Sequence, residues 1–268
     1  MYRQIVVPVQ EPAEVEPLIR FASNLLDPDG EIRVLHIIPT TTLPEVTREW
    51  RASVHLVVPA HEAGAALDVK VEPEVRAATD VPGEILETAE AHGADAILLT
   101  LRGARGSRNP LVGHTASGIL QHARTDVVVV NRLALAADTV PRILVATFRA
   151  DSAPLTLRVA ETLALRHGRT PVTILALESE GDLDETTVDG WKSEHGIDFT
   201  RKRSPVASSL LGRRRRLPEV ILAAAQRERY GLLIVGEEDD RGGGRLLTRR
   251  FLEELFRGAP CPVVAVRR

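Results

Sequence analysis

The residues best suited to chemistry in this chain of 268 residues lie in one loop, where nine residues separate Gly103 from Gly113. Glycines allow backbone N–H groups to turn inward as an anion-binding nest, and a helix that starts at the second glycine adds free donors and a partial positive charge. The spacing therefore predicts a loop that binds phosphate. Its polar neighbours are Thr100, Arg102, His114 and Thr115.

Strands and helices alternate around this loop. An apolar run at residues 96–100 predicts a strand buried on both faces, residues 113–123 predict a helix, and the valines from Val127 to Val130 predict another strand. Further strands are predicted at 4–9, 32–38 and 67–75, helices at 17–26, 44–66 and 82–92, and a turn at 27–30. This alternation is typical of a parallel sheet covered on both faces, in which ligands lie beyond the carboxyl ends of the strands where the strand order reverses.

The second half of the chain repeats this order. Residues 94–100 align with 230–236, and 126–130 with 262–266, at an offset of 136, while residues 5–7 align with 143–145 at an offset of 138. Two offsets that differ by two residues indicate a duplicated domain with one net change in length. We therefore predict domains at 1–133 and 140–268, joined by a short linker at 133–139. The second domain predicts strands at 142–147, 171–177, 232–235 and 263–266 and helices at 153–166, 218–229 and 247–256, whereas residues 178–216 show no clear pattern.

The order strand, glycine loop, nine residues, glycine, helix and apolar strand resembles the nucleotide-binding signature of the universal stress proteins. Gly103, Gly113 and the segment from Leu120 into Val127 match that signature, and residues 255–266 of the second half resemble the ending of the family. The resemblance implies a tandem member with two flavodoxin-like (HUP-type) α/β domains. Each domain is expected to be a five-stranded parallel sheet with helices on both faces.

The resemblance also implies that the first domain binds an adenine nucleotide, either ATP or AMP. Mg is expected only together with ATP. The candidate binding residues are Pro8, Val9, Gln10 and Ile37 toward the nucleoside and Thr100, Arg102, Gly103, Gly113, His114 and Thr115 toward the phosphates. The first half departs from the family at Thr100, which stands at the first glycine, and at His114, which stands at a hydroxyl residue. Gln10 is the more important departure, because the family places a nucleoside-binding aspartate there.

The second half departs further from the signature. Gly236 remains, but Asp239 and Arg249 stand at the second and third glycines, and Phe148 stands at the aspartate. A carboxylate about 4 Å from a phosphate would cost roughly 4 kcal/mol at an effective dielectric near 20, which Arg249 would offset only in part. We therefore predict no nucleotide site of the family type in this half.

The chain shows no constellation for catalysis or for a metal. Its eight histidines form no pair at metal-ligand spacing, no Gly-x-Ser-x-Gly elbow exists, and Cys261 has no nearby base in the sequence. The acidic run at 237–240 is interpreted as surface charge, because consecutive carboxylates do not form a coordination sphere. The basic runs at 201–203 and 213–216 predict solvated loops rather than a nucleic-acid surface, since no aromatic residues are interleaved with them.

Composition is that of a globular protein, with 44% apolar and 26% charged residues and no run long enough to span a membrane. The absence of a secretory segment after Met1 and the single cysteine predict a cytoplasmic protein. Residues 1–136 carry 12 basic and 18 acidic side chains, a net −6, and the remainder carry 22 and 19, a net +3, so opposite charge favours docking of the halves. The resemblance implies that Val127 to Val130 and Val263 to Val266 pair the two domains, and a homodimer of the whole chain is a further expectation.

These features predict a non-catalytic stress-response protein with a degenerate nucleotide site in the first domain only. The alternative is a ligand-free regulatory module in which both pockets are closed and the surface recognises a partner protein. A weak ATP-hydrolysing enzyme is the third alternative, and Gln10 in place of a carboxylate argues against it.

Overall fold

The computed structural model describes residues 1–39, 50, 53–103, 110–111, 113–131, 140–147, 154–176, 196–203, 210–237 and 247–268. The chain forms two compact units. Unit 1 comprises Met1–Thr100 and Gly113–Val128, and unit 2 comprises Leu101–Val112 and Val129–Arg268. Within the described residues, no helix is both long enough and apolar enough to span a bilayer.

The first half of the chain alternates strands and helices as the sequence predicts. Its elements are β1 (Tyr2–Val9), α1 (Pro12–Ser23), β2 (Leu26–Pro39), α2 (Val54–Leu67), β3 (Lys70–Ala78), α3 (Val81–Ala91), β4 (Ala96–Thr100), β5 (Arg102–Gly103), β6 (Pro110–Leu111), α4 (His114–His122) and β7 (Asp126–Val130). The strand order of the unit 1 sheet is β7-β4-β1-β2-β3, and β1 pairs in parallel with both β2 and β4. Helix α1 packs on α2 and α3 on α4, which covers both faces of the sheet.

The core of unit 1 lies on its two central strands. Val6, Val7, Ile97 and Leu98 of β1 and β4 have no exposed surface. Each such side chain contributes roughly 1.5–3 kcal/mol through burial, and continuous apolar runs are characteristic of parallel strands covered on both sides. These strands therefore form a rigid base for whatever lies at their carboxyl ends.

Two predicted boundaries at the start of unit 1 are wrong. Helix α1 begins at Pro12 rather than residue 17, because the first proline, not the second, occupies the first turn, where its missing N–H costs nothing. The predicted turn at 27–30 lies within β2, where the pairing shifts between Tyr2 and Gln4 of β1. Gly30 is required at this irregularity, since a Cβ there would lie 2.6 Å from Leu26 Cγ.

Unit 2 repeats the architecture of unit 1. Its main elements are β8 (Ile143–Thr147), α5 (Pro154–Arg166), β9 (Val172–Ala176), β10 (Phe199–Arg203), α6 (Leu210–Arg227), β11 (Leu232–Glu237), α7 (Arg249–Gly258) and β12 (Val263–Arg267). The strand order is β10-β9-β8-β11-β12, and every neighbouring pair is parallel. The predicted fold class, two α/β domains with five-stranded parallel sheets, is confirmed.

The two basic runs are not loops, so that prediction is wrong. Residues 201–203 belong to β10, which pairs with β9 along its length, and residues 213–216 lie within the backbone of α6. Burial of Phe199 holds β10 on the sheet, and Lys202 forms an ion pair with Glu228. Charge alone misled the prediction, because an edge strand accommodates basic side chains.

A ladder of charges covers one side of β2 and β3 in unit 1. Arg33 lies between Glu31 (3.0 Å) and Glu74 (3.3 Å), and Arg76 joins Glu74 to Glu84 of helix α3 (2.8 Å). Burial raises the pKa of Glu74, but the hydrogen bond from Arg76 and the neighbouring positive charges outweigh it and hold that pKa below its ordinary value. The ladder therefore favours the ionised carboxylate.

Candidate functional site

The strand order of unit 1 reverses at β1. Strands β2 and β3 lie on one side of it and β4 and β7 on the other. In open parallel sheets this reversal creates a crevice between the carboxyl ends of the two strands involved. Here these ends are Val9 of β1 and Thr100 of β4.

The backbone ladder between these two strands stops before their carboxyl ends. Strand β1 pairs with β2 as far as Val9, which lies opposite His36, but it pairs with β4 only through Ile5 and Val6. Residues 7–9 and 98–100 are all described, and they form no further pair with each other. The hydrogen-bonded pairing of β1 with β4 therefore ends at Val6 and Ile97.

Pro8 explains why the ladder stops. The N–H of Asp95 donates to the carbonyl oxygen of Gln4 (2.9 Å), so Gln4 directs its backbone polar groups toward β4. The two-residue period of a strand gives Val6 and Pro8 the same direction. Proline has no N–H to donate at that position. Pro8, which the sequence predicts as a nucleoside contact, thus ends the ladder between β1 and β4.

The sequence predicts that an anion binds at the start of helix α4, where the structure places Gly113. Gly113 is the N-cap residue, its carbonyl accepts from Ser117 N–H (3.0 Å), and no side chain of the described residues caps the helix. The amides of the first turn are thus left without intrahelical partners, at the positive end of the helix dipole. A Cβ at Gly113 would meet no atom within 4 Å among the described residues, so packing does not require a glycine there. The open space allows a ligand to approach these amides.

The position of α4 follows from the element after it. Asp126, which begins β7, donates its N–H to the carbonyl of Asp95, just before β4 (3.2 Å). The C-terminus of α4 therefore lies at the amino end of the sheet. A helix of nine residues is about 14 Å long, which carries its start to the carboxyl end.

The remaining predicted residues differ in accessibility. Gln10 and His114 are exposed, Thr100 and Thr115 are half-buried, and Ile37 is buried in β2 one residue beyond the level of Val9. Arg102 and Gly103 pair in antiparallel fashion with Leu111 and Pro110 and belong to the segment that groups with unit 2. Unit 1 therefore brings the β1 and β2 residues to one edge, and the role of the Arg102–Gly103 pair stays a prediction.

Sequence reasoning missed His36. Its Nδ1 lies 3.1 Å from the carbonyl oxygen of Val9, and because that oxygen can only accept, the hydrogen of this bond is on Nδ1. The neutral ring then presents Nε2 as an acceptor beside the end of β1. A single polar residue within the apolar run of β2 was the signal that could have identified it.

Charge around the crevice favours one anion position over another. The first turn of α1, which follows β1, carries Glu14, with Glu11 at its N-cap, whereas the first turn of α4 carries no acidic residue. Carboxylates at a helix start occupy the position that an anion would take. An anion in unit 1 is therefore favoured at Gly113 and not at α1.

In unit 2 the equivalent pair of strands has a continuous ladder. Ala146 stands where unit 1 has Pro8, and the ladder between β8 and β11 continues to its last pair, Thr147 with Gly236. Thr156 fills the space beside that pair, since a Cβ at Gly236 would lie 1.6 Å from Thr156 Oγ1. The interruption that Pro8 causes in unit 1 therefore has no counterpart in this ladder.

The helix start of unit 2 is capped by its own side chains. Thr248 Oγ1 accepts from Phe251 N–H (3.3 Å), and Glu237 Oε2 accepts from Leu247 N–H (3.1 Å). Arg249 donates to Glu253 (2.8 Å). One first-turn amide of α7, that of Phe251, thus has a side-chain partner, whereas the described residues of unit 1 provide none at α4. Phe148 and residues 238–240, which the sequence analysis also used, lie outside the described residues.

Two kinds of group were candidates for chemistry in unit 2 and elsewhere, the Cys261 thiol and clusters of metal ligands. Burial raises the pKa of the Cys261 thiol to about 11, which keeps it protonated at neutral pH. No cluster of three or more His, Cys, Asp or Glu side chains that could hold a metal ion occurs in that part of the chain.

Comparison with known proteins gives one family and one fold. A model of the universal stress protein family matches residues 1–131 and, a second time, residues 139–267. A universal stress protein from Archaeoglobus fulgidus is similar over 99% of this chain and 96% of its own, with a TM-score of 0.67 and 17% sequence identity. No curated protein sequence matches the chain.

Two other solved structures share the fold. The cytoplasmic domain of a prokaryotic cation chloride cotransporter is similar over 99% of this chain and 95% of its own, with a TM-score of 0.62 and 14% identity. A functionally unknown protein from Pseudomonas aeruginosa is similar over 99% and 92%, with a TM-score of 0.54 and 12% identity. At these identities the matches show a common architecture over the full length of the chain.

Proposed function

This chain belongs to the universal stress protein family, whose domain it carries twice, and we propose that it is a non-catalytic stress-response protein that binds an adenine nucleotide, ATP or AMP, in unit 1 only. The observation that carries this proposal is the difference between two equivalent crevices. In unit 1 the ladder between the two strands is interrupted beside a helix start that no described side chain caps, and in unit 2 the ladder is continuous beside a start capped by Thr248.

The residues of unit 1 fit a nucleotide in outline. The free amides at the start of α4 and the space beside Gly113 suit phosphate, and Ile37 offers an apolar contact for the base. Gln10, exposed at the end of β1, offers an amide to the sugar hydroxyls in place of a carboxylate. Mg would accompany ATP as its counterion, held by the nucleotide more than by this chain.

The test is isothermal titration calorimetry of the full chain with AMP and with ATP, in the presence and absence of Mg. We expect one nucleotide per chain. We expect Gly113→Arg to abolish binding, because it introduces the arginine that stands at the equivalent position 249 of unit 2 and fills the space beside the helix start. Ala66→Arg adds the same charge on an exposed position of α2 and is the matched control. If no heat and no thermal shift appear at millimolar ATP, or if Gly113→Arg binds like wild type, the proposed site is wrong.

We also propose that the two units pair through β7 and β12. Both strands are apolar, and each lies at one end of the strand order of its own sheet, whereas the opposite ends, β3 and β10, are charged. Spin labels at Ala65 and Arg257, both exposed, should give a single narrow distance distribution by pulsed electron resonance. A broad distribution would contradict pairing. A homodimer and a cytoplasmic location stay predictions from the sequence.

A further inference from the structure

A surface cavity in unit 2 lies at the amino end of its sheet, where helix α5 turns into strand β9. It has a volume of about 530 Å³ and is lined by residues 140–141 and 166–171, which directly precede the parallel strands β8 and β9. Most of these residues are exposed, Arg166, Arg169 and Pro171 among them. A ligand can therefore reach the wall of the cavity from solvent, and the volume is within the range of small-molecule sites.

The cavity is basic. Arg166, His167 and Arg169 line it, and none of the described lining residues is acidic. Neither arginine forms an ion pair or a side-chain hydrogen bond with any residue that the structure describes. Both guanidinium groups are therefore available to an anion, and their planar sets of donors suit the oxygens of a phosphate or a carboxylate.

The end of helix α5 does not oppose an anion as strongly as a free helix end would. Free carbonyl oxygens at a helix C-terminus carry partial negative charge. Here the carbonyl of Ala164 accepts from Thr170 N–H (3.0 Å) and that of Leu165 from Gly168 N–H (3.3 Å). Thr170 Oγ1 donates to the carbonyl of Val140 (2.6 Å), which ties the turn to the segment before β8. The turn is thus held in place, and the carbonyls of Ala164 and Leu165 already have donors.

Arg169 stands in a backbone conformation that does not favour arginine. Gly168 and Arg169 have φ values of 81° and 63°, in the left-handed region, where a residue with a Cβ is strained. The Arg169 side chain is exposed and forms no ion pair with the described residues, so no such pair offsets this cost. Backbone strain of this kind is concentrated at functional sites.

The basic character of this turn is not a requirement of the fold. In unit 1 the corresponding stretch, residues 24–30 from the end of α1 into β2, contains Asp27 and Asp29 and no basic residue. The same order of helix and strand therefore forms with either charge at this position. The difference indicates a property that belongs to unit 2 alone.

We propose that this cavity binds a phosphate group, either inorganic phosphate or the phosphate of a small monoester, through the guanidinium groups of Arg166 and Arg169. Each guanidinium can donate two parallel hydrogen bonds to phosphate oxygens, and together the two arginines balance the charge of a phosphate dianion. A Cβ at Gly168 would meet no described atom within 4 Å, so the space above the turn is open to the anion. The site lies in unit 2 and does not depend on the nucleotide crevice of unit 1.

The test is titration of the full chain with inorganic phosphate and with glycerol phosphate at constant ionic strength, followed by amide chemical shifts. We expect a dissociation constant of about 1 mM or below, with shifts centred on Gly168, Arg169 and Thr170. The compound that binds more tightly identifies the source of the phosphate group. The titration is repeated in Gly113→Arg, which removes the phosphate position proposed in unit 1 and should leave the shifts at residues 168–170 unchanged.

Variants separate this site from a general effect of positive charge. Arg166→Gln and Arg169→Asn should each weaken phosphate binding about tenfold, and Arg169→Asn should keep the melting temperature of the wild type, because asparagine tolerates the left-handed region. Arg158→Gln, which removes an exposed arginine from the same helix, should not change binding. The proposal is overturned if about 20 mM phosphate moves the amides of residues 168–170 no more than sodium chloride of equal ionic strength does. It is also overturned if both cavity variants bind like wild type, or if Arg158→Gln weakens binding as much as they do.

Discussion

Replacing Gly113 by aspartate is expected to raise stability and to lower nucleotide affinity at the same time. The structure leaves the start of α4 uncapped, and the space beside Gly113 is open, so an aspartate side chain can enter without displacing an atom. The backbone at Gly113 has a φ of −64°, which any residue adopts. The substitution therefore tests the helix start without straining the chain.

The two effects differ in size as well as in sign. Aspartate is a better N-cap than glycine by a few tenths of a kcal/mol, and its charge at the positive end of the dipole adds about 0.3–1 kcal/mol, so the free energy of unfolding should rise by about 0.5–1 kcal/mol. A carboxylate about 4 Å from a bound phosphate costs about 4 kcal/mol at an effective dielectric near 20, which is roughly a thousandfold in affinity.

Urea unfolding measures the first effect and calorimetry with ATP the second. Gly113→Ser supplies a cap without charge and should show a stability gain with a much smaller loss of affinity. Thr248→Ala in unit 2, which removes an existing cap, should cost about 1 kcal/mol of stability and leave ATP binding unchanged. If Gly113→Asp binds ATP like wild type, the phosphates do not lie at α4, and if it lowers stability, the helix start is not uncapped as described.

Three further outcomes are expected. Gly236→Ala should destabilise the chain by about 1–3 kcal/mol in urea unfolding, because the added Cβ would clash with Thr156 Oγ1. Adding Thr156→Gly should restore most of the lost stability. If the double variant shows no recovery, the cause is not steric. The pKa of the Glu74 carboxyl is below its ordinary 4.5, so its contribution to stability is present above pH 4.5 and is lost as the pH falls through the lower pKa of the folded state. In the Glu74→Gln variant, the free energy of unfolding should therefore depend less on pH in that range. An unchanged pH profile would contradict the lowered pKa. The thiol of Cys261, with a pKa of about 11, should react with a disulfide reagent at pH 8 only after unfolding, and fast labelling of the native chain would contradict its burial.

The sequence predicted the sheets better than their edges. The buried runs of β1, β4, β8 and β11 are apolar on both faces, so their periodicity identifies them without tertiary information. Strand β10 was not recognised, because its residues after Phe199 are polar or basic and its place depends on pairing with β9. Edge strands are defined by their neighbours more than by their own composition.

The candidate site stays a prediction, and the structure adds local causes that the sequence could not give. The glycine spacing identified Gly113, and the structure shows that packing does not require a glycine there. The effect of Pro8 on the ladder could not be predicted, because the direction of its missing donor depends on the register with β4. His36 was missed for the same reason, since its contact with Val9 is a property of two paired strands.

The charged outer edge of unit 1 has a consequence for how the protein behaves at high concentration. Strand β3 pairs with β2 on one side only, presents a proline at position 73 and holds Lys70 and Arg76 in ion pairs. A strand from another molecule that paired with this edge would find no backbone N–H donor at Pro73. It would also have to desolvate the charged side chains there. Addition of further strands to form cross-β fibrils is therefore disfavoured at this edge. This property favours a chain that resists aggregation when unfolded proteins are abundant.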